Sequence, residues 1–195
     1  MRRLNVGCGK DIRKGWINLD RVRLPGVDVI HDITDLPLPF DKETFDEVLY
    51  QHVLEHIENY VVVLGEFHRI LKPGGRLAVI VPHFTSKDAY SDPTHQRFFS
   101  AHTFRYFVSQ HPRSYYFDFA FGKVEGIYIH FDRRVLYFYN YFLERIVNLN
   151  TRLQNLYEGS PLRIFPATVT EAKLLKSEVP RREELVQLLG ACSDL

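Results

Sequence analysis

Short apolar runs that stop on a glycine or an aspartate constrain the fold of this chain more than any other feature. Leu4-Asn5-Val6 breaks at Gly7-Cys8-Gly9, Trp16-Ile17-Asn18-Leu19 closes on Asp20, and Val27 to His31 closes on Asp32. Phe45 to Tyr50 is a fourth run, and Arg76 to Val81 a fifth, introduced by Lys72-Pro73-Gly74-Gly75 and ended by Pro82. Between the last two, Val53, Leu54, Ile57, Val61, Leu64, Phe67, Ile70 and Leu71 recur at helical spacing. Short strands with apolar residues on both faces, linked by a crossover helix, predict an α/β fold. Its sheet is Rossmann-like and mostly parallel, covered by flanking helices.

The chain length of 195 residues and its 25% charged content suit one ordinary globular domain. A net charge of +1 argues against nucleic acid as the main partner, because phosphate binding needs a local excess of Lys and Arg. Cys8 and Cys192 form neither a disulfide nor a zinc spacing. No run approaches the ~20 apolar residues of a membrane span, and Asn5, Cys8 and Gly9 come before any apolar run of signal-peptide length, so the expectation is a cytoplasmic chain without a transmembrane segment.

Beyond Asp88 the pattern changes. Ser100 to Ser109 predicts a helix, Tyr115 to Phe121 and Val124 to Phe131 predict strands, and Leu136 to Leu156 is helical in length. Thr168 to Leu175 predicts a late strand and Arg181 to Leu189 a short charged helix. Phe, Tyr and Trp make up 14% of the chain, most of them between Phe98 and Phe165. This excess suits a core, an apolar acceptor pocket, cover for a thin sheet flank, or a contact between copies.

Glycines after a strand let backbone N–H groups approach a ligand, although the same residues also make a plain tight turn. Asp20, at the end of the next strand, is placed to accept bonds from ribose hydroxyls, and Asp32 ends the third. Taken together, these three strand ends describe one nucleoside cleft at the carboxyl edge of the sheet.

Leu4 to Val81 resembles the small, type-11-like group of class I S-adenosylmethionine-dependent methyltransferases. The resemblance rests on Asn5-Val6-Gly7-Cys8-Gly9, Ile17-Asn18-Leu19-Asp20, His31-Asp32 through Leu36-Pro37, Phe45-Asp46-Glu47-Val48, Leu54-Glu55-His56 and Leu71-Lys72-Pro73-Gly74-Gly75. It implies a methyltransferase using S-adenosyl-L-methionine, with residues 1–83 as the cofactor half, 84–179 as the aromatic-rich acceptor and assembly half, and 180–195 as a tail of one domain. By the same resemblance the Gly7-Cys8-Gly9 backbone lies against the methionine part and sugar, and Asp20 holds the ribose. Asp32 with Ile33 contacts adenine, and Gln51 with His52 approaches the sulfonium. Asn5 stands where the family usually has an aspartate, so a bond from Asn5 to the methionine ammonium lacks charge assistance. Only Lys10 to Trp16 separates the glycines from the second strand, whereas a parallel crossover usually needs a dozen or more residues. The first crossover helix is therefore expected to be shortened or missing, leaving one flank thinly covered.

Two histidine groups follow. His52-Val53-Leu54-Glu55-His56 has the spacing of an inverted zinc-peptidase helix, but that motif needs a third ligand further along a helical fold and here it falls at a strand-to-helix junction, so no metal is expected. His56 reads as a residue starting the helix and bonded to backbone or to Glu55. Past the fifth strand, His83, Asp92 and His95 are candidates for lining the acceptor pocket, with His95 suited to act as a general base. Asp92-Pro93 also makes a turn, and His95 can cap the next helix; the sequence leaves both readings open. The expected reaction is methyl transfer to oxygen or nitrogen of a small-molecule acceptor, with a homodimer forming through the aromatic-rich 133–145 region. A nucleotide-binding oxidoreductase is disfavoured by the absence of a third glycine and by how soon Asp20 follows. A non-catalytic cofactor-binding module remains open on sequence alone.

Overall fold

A computed structural model describes residues 1–134 and 138–177. Seven strands form one sheet: β1 (Arg3–Val6), β2 (Ile17–Asp20), β3 (Val29–Ile30), β4 (Phe45–Gln51), β5 (Leu71–Pro82), β6 (Lys123–Phe131) and β7 (Ala167–Leu175). Their order is β3-β2-β1-β4-β5-β7-β6, and β7 runs antiparallel to both of its neighbours while the other pairs are parallel. The α/β, mostly parallel architecture expected from the apolar runs is the one found. Because β1, β4 and β5 are internal, their side chains are buried on both faces: Leu4, Val6, Val48, Tyr50, Leu77, Val79 and Val81 are all fully buried.

Helix α1 (Tyr60–Ile70) links β4 to β5 and buries Val63, Leu64, Phe67 and Ile70. Phe67 meets Tyr50 of the sheet edge-on, with ring centroids 4.9 Å apart. The apolar periodicity extends back to Val53, but the helix does not. Leu54–His56 is a single 3-10 turn, and the carbonyl of Glu55 accepts N–H bonds from Gln96 and Arg97. A loop from beyond β5 thus takes the acceptor that a continuous helix would use.

Residues 7–16 contain no helix, as the short spacing predicts. A polar lock takes its place. Asn5 and Asn18 are register partners on β1 and β2, and are only 2% and 3% exposed. Asn5 Nδ2 donates to the Asp11 carbonyl (2.7 Å) and to Asn18 Oδ1 (3.2 Å). Asn18 Oδ1 also accepts from the Arg13 backbone N–H at 2.9 Å, and Asn18 Nδ2 donates to the Arg13 and Trp16 carbonyls and to Asp28 Oδ2. Asp28 Oδ2 accepts in addition from the Asn18 backbone N–H at 2.8 Å. The flank expected to be thinly covered is therefore closed by its own connecting loop, with Trp16 beneath the guanidinium groups of Arg3 and Arg13.

Several expected boundaries change. The third strand shrinks to Val29–Ile30, because Asp28 turns to Asn18 and Asp32 turns to the N–H and hydroxyl of Thr34. The helix expected over Ser100 to Ser109 is a 3-10 turn at Thr103–Phe107. Tyr115 to Phe121 is not a strand: Ser114–Tyr116 is a 3-10 turn, and Phe121 makes one isolated bridge to Val108. Here the aromatic alternation marks ring packing, with Phe107 against Phe117 and Phe119, and Phe119 against Phe121. Phe119 lies on α1 at Gly65, where an added Cβ would come within 3.0 Å of its ring. The long helix expected from Leu136 divides into α3 (Tyr139–Val147) and α4 (Thr151–Gly159). The break occurs at Asn148, whose side chain bonds the N–H and carbonyl of Ile129, and at Asn150, which caps α4 through Leu153 N–H. A short helix, α2, spans Asp88–Ser91. The helix expected over Arg181 to Leu189, Cys192 and the 180–195 tail lie outside the described residues.

Asn18 bonds to Asn5, to the Arg13–Trp16 loop and to Asp28, so truncating it strands buried donors and acceptors. Asn18→Ala is expected to cost about 1–3 kcal/mol, read as a lowered urea midpoint with an unchanged m-value.

Candidate active site

The site forms at the carboxyl edge, just beyond the paired ends of β1 and β4. Gly7 leaves β1 with φ +63, and a Cβ there would lie 2.3 Å from Val53 Cγ2, so only glycine fits. The chain then turns back: Cys8 N–H donates to the Leu19 carbonyl, and Gly9 N–H to Asp20 Oδ2 at 2.8 Å. Asp20 Oδ1 accepts from Val22 N–H at 2.9 Å. Asp20 is therefore a clamp on the glycine loop, while each of its carboxylate oxygens keeps a further lone pair.

A cleft of about 480 Å³ opens beside this clamp. Leu19, Ile33, Val53 and Ile57 supply its apolar lining; Asp20 and Asp32 line one side, and Thr94 and Gln96 come from the loop after β5. The N–H and then the hydroxyl of Thr34 hold the Asp32 carboxyl below the usual aspartate range. A slot with an apolar lining and carboxylates beside it can take a flat ring together with a diol.

A second cavity of about 580 Å³ adjoins the first, and His56 lines both. Its walls include His52, Glu55, Asp88, Ser91, Asp92 and His95, with Thr168 and Val169 from β7. Each histidine in the shared wall is fixed by its Nδ1. His56 Nδ1 lies 2.8 Å from Thr94 Oγ1, which donates its hydrogen to Asp92 Oδ1 at 2.6 Å, so His56 Nδ1 is the donor in the first bond. His95 Nδ1 lies 3.0 Å from the Ala89 carbonyl, which can only accept. The Nε2 atoms of both rings remain as acceptors when the rings are neutral. Glu55 is 2% exposed, and its Oε2 has no hydrogen-bond partner among the described residues. Donor atoms of Glu55, His56 and His95 lie within 4.8 Å of one another. The hydroxyl and N–H of Thr94 hold Asp92 below the usual carboxylate range.

The structure brings Gly7, Asp20, Asp32 and Ile33 to the first cleft, and His52, Asp92 and His95 to the second. Four expected positions, Asn5, Cys8, Gln51 and His83, lie elsewhere. Both amide hydrogens of Asn5 are committed to the β1–β2 lock, so it does not donate into the cleft. Cys8 is buried, its thiol pushed up by desolvation and by Asp20. Gln51 Oε1 accepts from Arg13. His83, expected in the acceptor pocket, is fully buried instead: its ring bonds Thr85 Oγ1 and Glu158 Oε1, which ties α4 to the end of β5. His52 stands at φ +53 with Nδ1 3.5 Å from Glu55 Oε1. Thr94 and Gln96 carry no spacing signal, and Val53 and Glu55 stand out in the sequence only as members of the apolar repeat and of the His52–His56 run. The Asp92-Pro93-Thr94-His95 loop was visible as a polar turn, but no local pattern shows that it folds onto Glu55.

Residues 4–79 match the model of a family described as "Methyltransferase domain". An uncharacterized protein of Methanocaldococcus jannaschii is 54% identical over 91 residues, covering 40% of this chain and 39% of that protein. A demethylmenaquinone methyltransferase of Listeria welshimeri is 42% identical over 77 residues, covering 37% of this chain and 32% of the relative. These matches span only about a third to two-fifths of the curated relatives' own length. A solved structure of a SAM-dependent methyltransferase from Archaeoglobus fulgidus superposes with a TM-score of 0.60 at 18% identity, covering 90% of this chain and 86% of that one. Residues 4–79 are thus similar to the methyltransferase domain family, and the described residues share the fold of the solved Archaeoglobus fulgidus structure.

Proposed function

We propose that this protein transfers the methyl group of S-adenosylmethionine to an oxygen or nitrogen atom of a small-molecule acceptor. The observation that carries this reading is the pair of adjoining cavities at the carboxyl edge, one suited to a nucleoside and one lined by titratable groups, with His56 in both walls. The residues of the first cleft fit the cofactor. Asp20 keeps lone pairs for the ribose hydroxyls, Asp32 and Ile33 border the place for adenine, and Gly7 keeps the loop free of any side chain.

Bound S-adenosylmethionine supplies an electrophilic methyl carbon, and the chain's own residues do the rest. The first task is orientation: holding acceptor and methyl donor in line at about 3–3.5 Å supplies much of the rate enhancement of a direct displacement. The second is removal of the acceptor's proton. His95 Nε2 is the candidate base, since Ala89 holds the opposite ring nitrogen as a donor. Asp92 acts through Thr94, orienting His56. The family match ends at residue 79, before the loop that carries Asp92 and His95, so this acceptor side is read from geometry.

Homodimer formation through residues 133–145 is supported by the exposure of Phe138, Tyr141 and Phe142; residues 135–137 lie outside the described chain. Light scattering across a concentration series is expected to give a dimer mass, and a monomer throughout contradicts this expectation. For the cofactor, titration calorimetry is expected to show binding of S-adenosylmethionine and S-adenosylhomocysteine but not of NAD. No heat from the first two well above micromolar concentration refutes the reading. Asp20→Asn keeps an acceptor for Gly9 N–H but loses the charge. It is expected to weaken S-adenosylmethionine by about 1–3 kcal/mol, and unchanged affinity removes Asp20 from the ribose site.

A further inference from the structure

The cluster in the wall between the two cavities has the properties of a cation site lacking its cation. Glu55 is buried with Oε2 unsatisfied. A buried carboxylate oxygen without a partner is costly, and a nearby positive charge is what relieves it. Two imidazoles stand beside it, their ring centroids 4.7 Å apart. Hydrogen bonds from each Nδ1, to Thr94 on one side and the Ala89 carbonyl on the other, leave each Nε2 able to donate a lone pair. Outer hydrogen bonds of this kind fix the tautomer and orientation of metal-binding histidines. The backbone enforces the grouping as well, since the Glu55 carbonyl bonds Gln96 and Arg97 and so holds His95 across from Glu55 and His56.

We propose that Glu55, His56 and His95 bind one divalent transition-metal ion whose open positions face the acceptor cavity. Ligand bonds of about 2.0–2.2 Å place donors up to ~4.4 Å apart, so a cluster within 4.8 Å closes with small side-chain rotations. Two imidazoles with one carboxylate select Zn²⁺, Fe²⁺, Co²⁺ or Mn²⁺ over Mg²⁺ and Ca²⁺, which prefer all-oxygen sites. Three protein ligands leave room for one further ligand or more, the arrangement of a catalytic ion. His52, 3.5 Å from Glu55 Oε1, and Asp92, whose Oδ2 is 4.0 Å from His95 Nε2, line the same cavity as further donors.

The role of the ion rests on the methyltransferase reading; its binding does not. With His95 Nε2 taken up as a ligand, the ion takes over the deprotonation that His95 would serve in its absence: an acceptor hydroxyl bound at an open position would lose its proton to water more readily. The oxygen's electron pair then forms the O–CH₃ bond while the S–CH₃ bond breaks. That bonding pair stays on sulfur, which leaves as a neutral thioether, and the ion's oxidation state does not change. The acceptor class is thereby narrowed to an alcohol or phenol.

The test uses the full chain, stripped with a chelator and titrated with Co²⁺, with visible absorption and calorimetry as readouts. One Co²⁺ per chain is expected, displaced by Zn²⁺. Glu55→Gln and His95→Gln should each weaken Co²⁺ at least tenfold while circular dichroism stays native. Failure of the wild-type chain to bind Co²⁺ overturns the proposal without recourse to any variant. So does Co²⁺ binding that both substitutions leave unchanged. Parallel calorimetry with S-adenosylmethionine separates the two readings. Nucleoside binding without Co²⁺ binding refutes the metal site alone, and Co²⁺ binding without nucleoside binding refutes the methyltransferase alone.

Discussion

The short connection between β1 and β2 is the constraint on which the candidate site depends. Parallel neighbours are normally joined through a helix whose apolar face covers the sheet, and residues 7–16 are too few to provide one. The sheet instead carries amides where apolar side chains would face that helix. Asn5 and Asn18 stay buried because Asp11, Arg13, Trp16 and Asp28 satisfy them. This exchange of apolar for polar packing works only if every group is paired, since a half-satisfied buried network is worse than none. It fixes β1 against β2, and thereby places Gly7 and Gly9 beside Asp20.

A second long-range tie builds the other half of the site. Glu55 ends the apolar run from β4, and its carbonyl binds the backbone of Gln96 and Arg97. That contact leaves Leu54–His56 as a separate turn ahead of α1 and folds the loop after β5 over the strand ends. It brings Thr94 and Gln96 to the nucleoside cleft and His95 to the adjoining cavity. One backbone acceptor therefore contributes to both cavities, and it explains why His56 lines each of them.

Local spacing made the parallel strands, the shortened or missing first helix, the late strand β7 and the strand-end positions of Gly7, Asp20 and Asp32 legible, because each depends on neighbours a few residues away; Ile33 came from the family resemblance. Long-range partners were not legible. Asn5 looked like a ligand-facing residue until Asn18 and Asp11 claimed its hydrogens. His83 looked exposed to an acceptor until Glu158, far along the chain, buried it. The spacing of His52 and His56 suggested two donors on one helix face, but that helix does not form there. His56 instead faces His95 across a loop closure that no periodicity reports. Aromatic alternation from Tyr115 to Phe121 misled for a related reason: rings stacked over α1 can alternate without sheet pairing.

The most direct test of the central claim is the structure of this chain in complex with S-adenosylhomocysteine. The account predicts the ribose hydroxyls on Asp20, the adenine beside Asp32 and Ile33, and the sulfur directed past His56 toward the cavity of His52 and His95. A nucleoside seated anywhere else, or a complex in which the sulfur points away from that cavity, would contradict it.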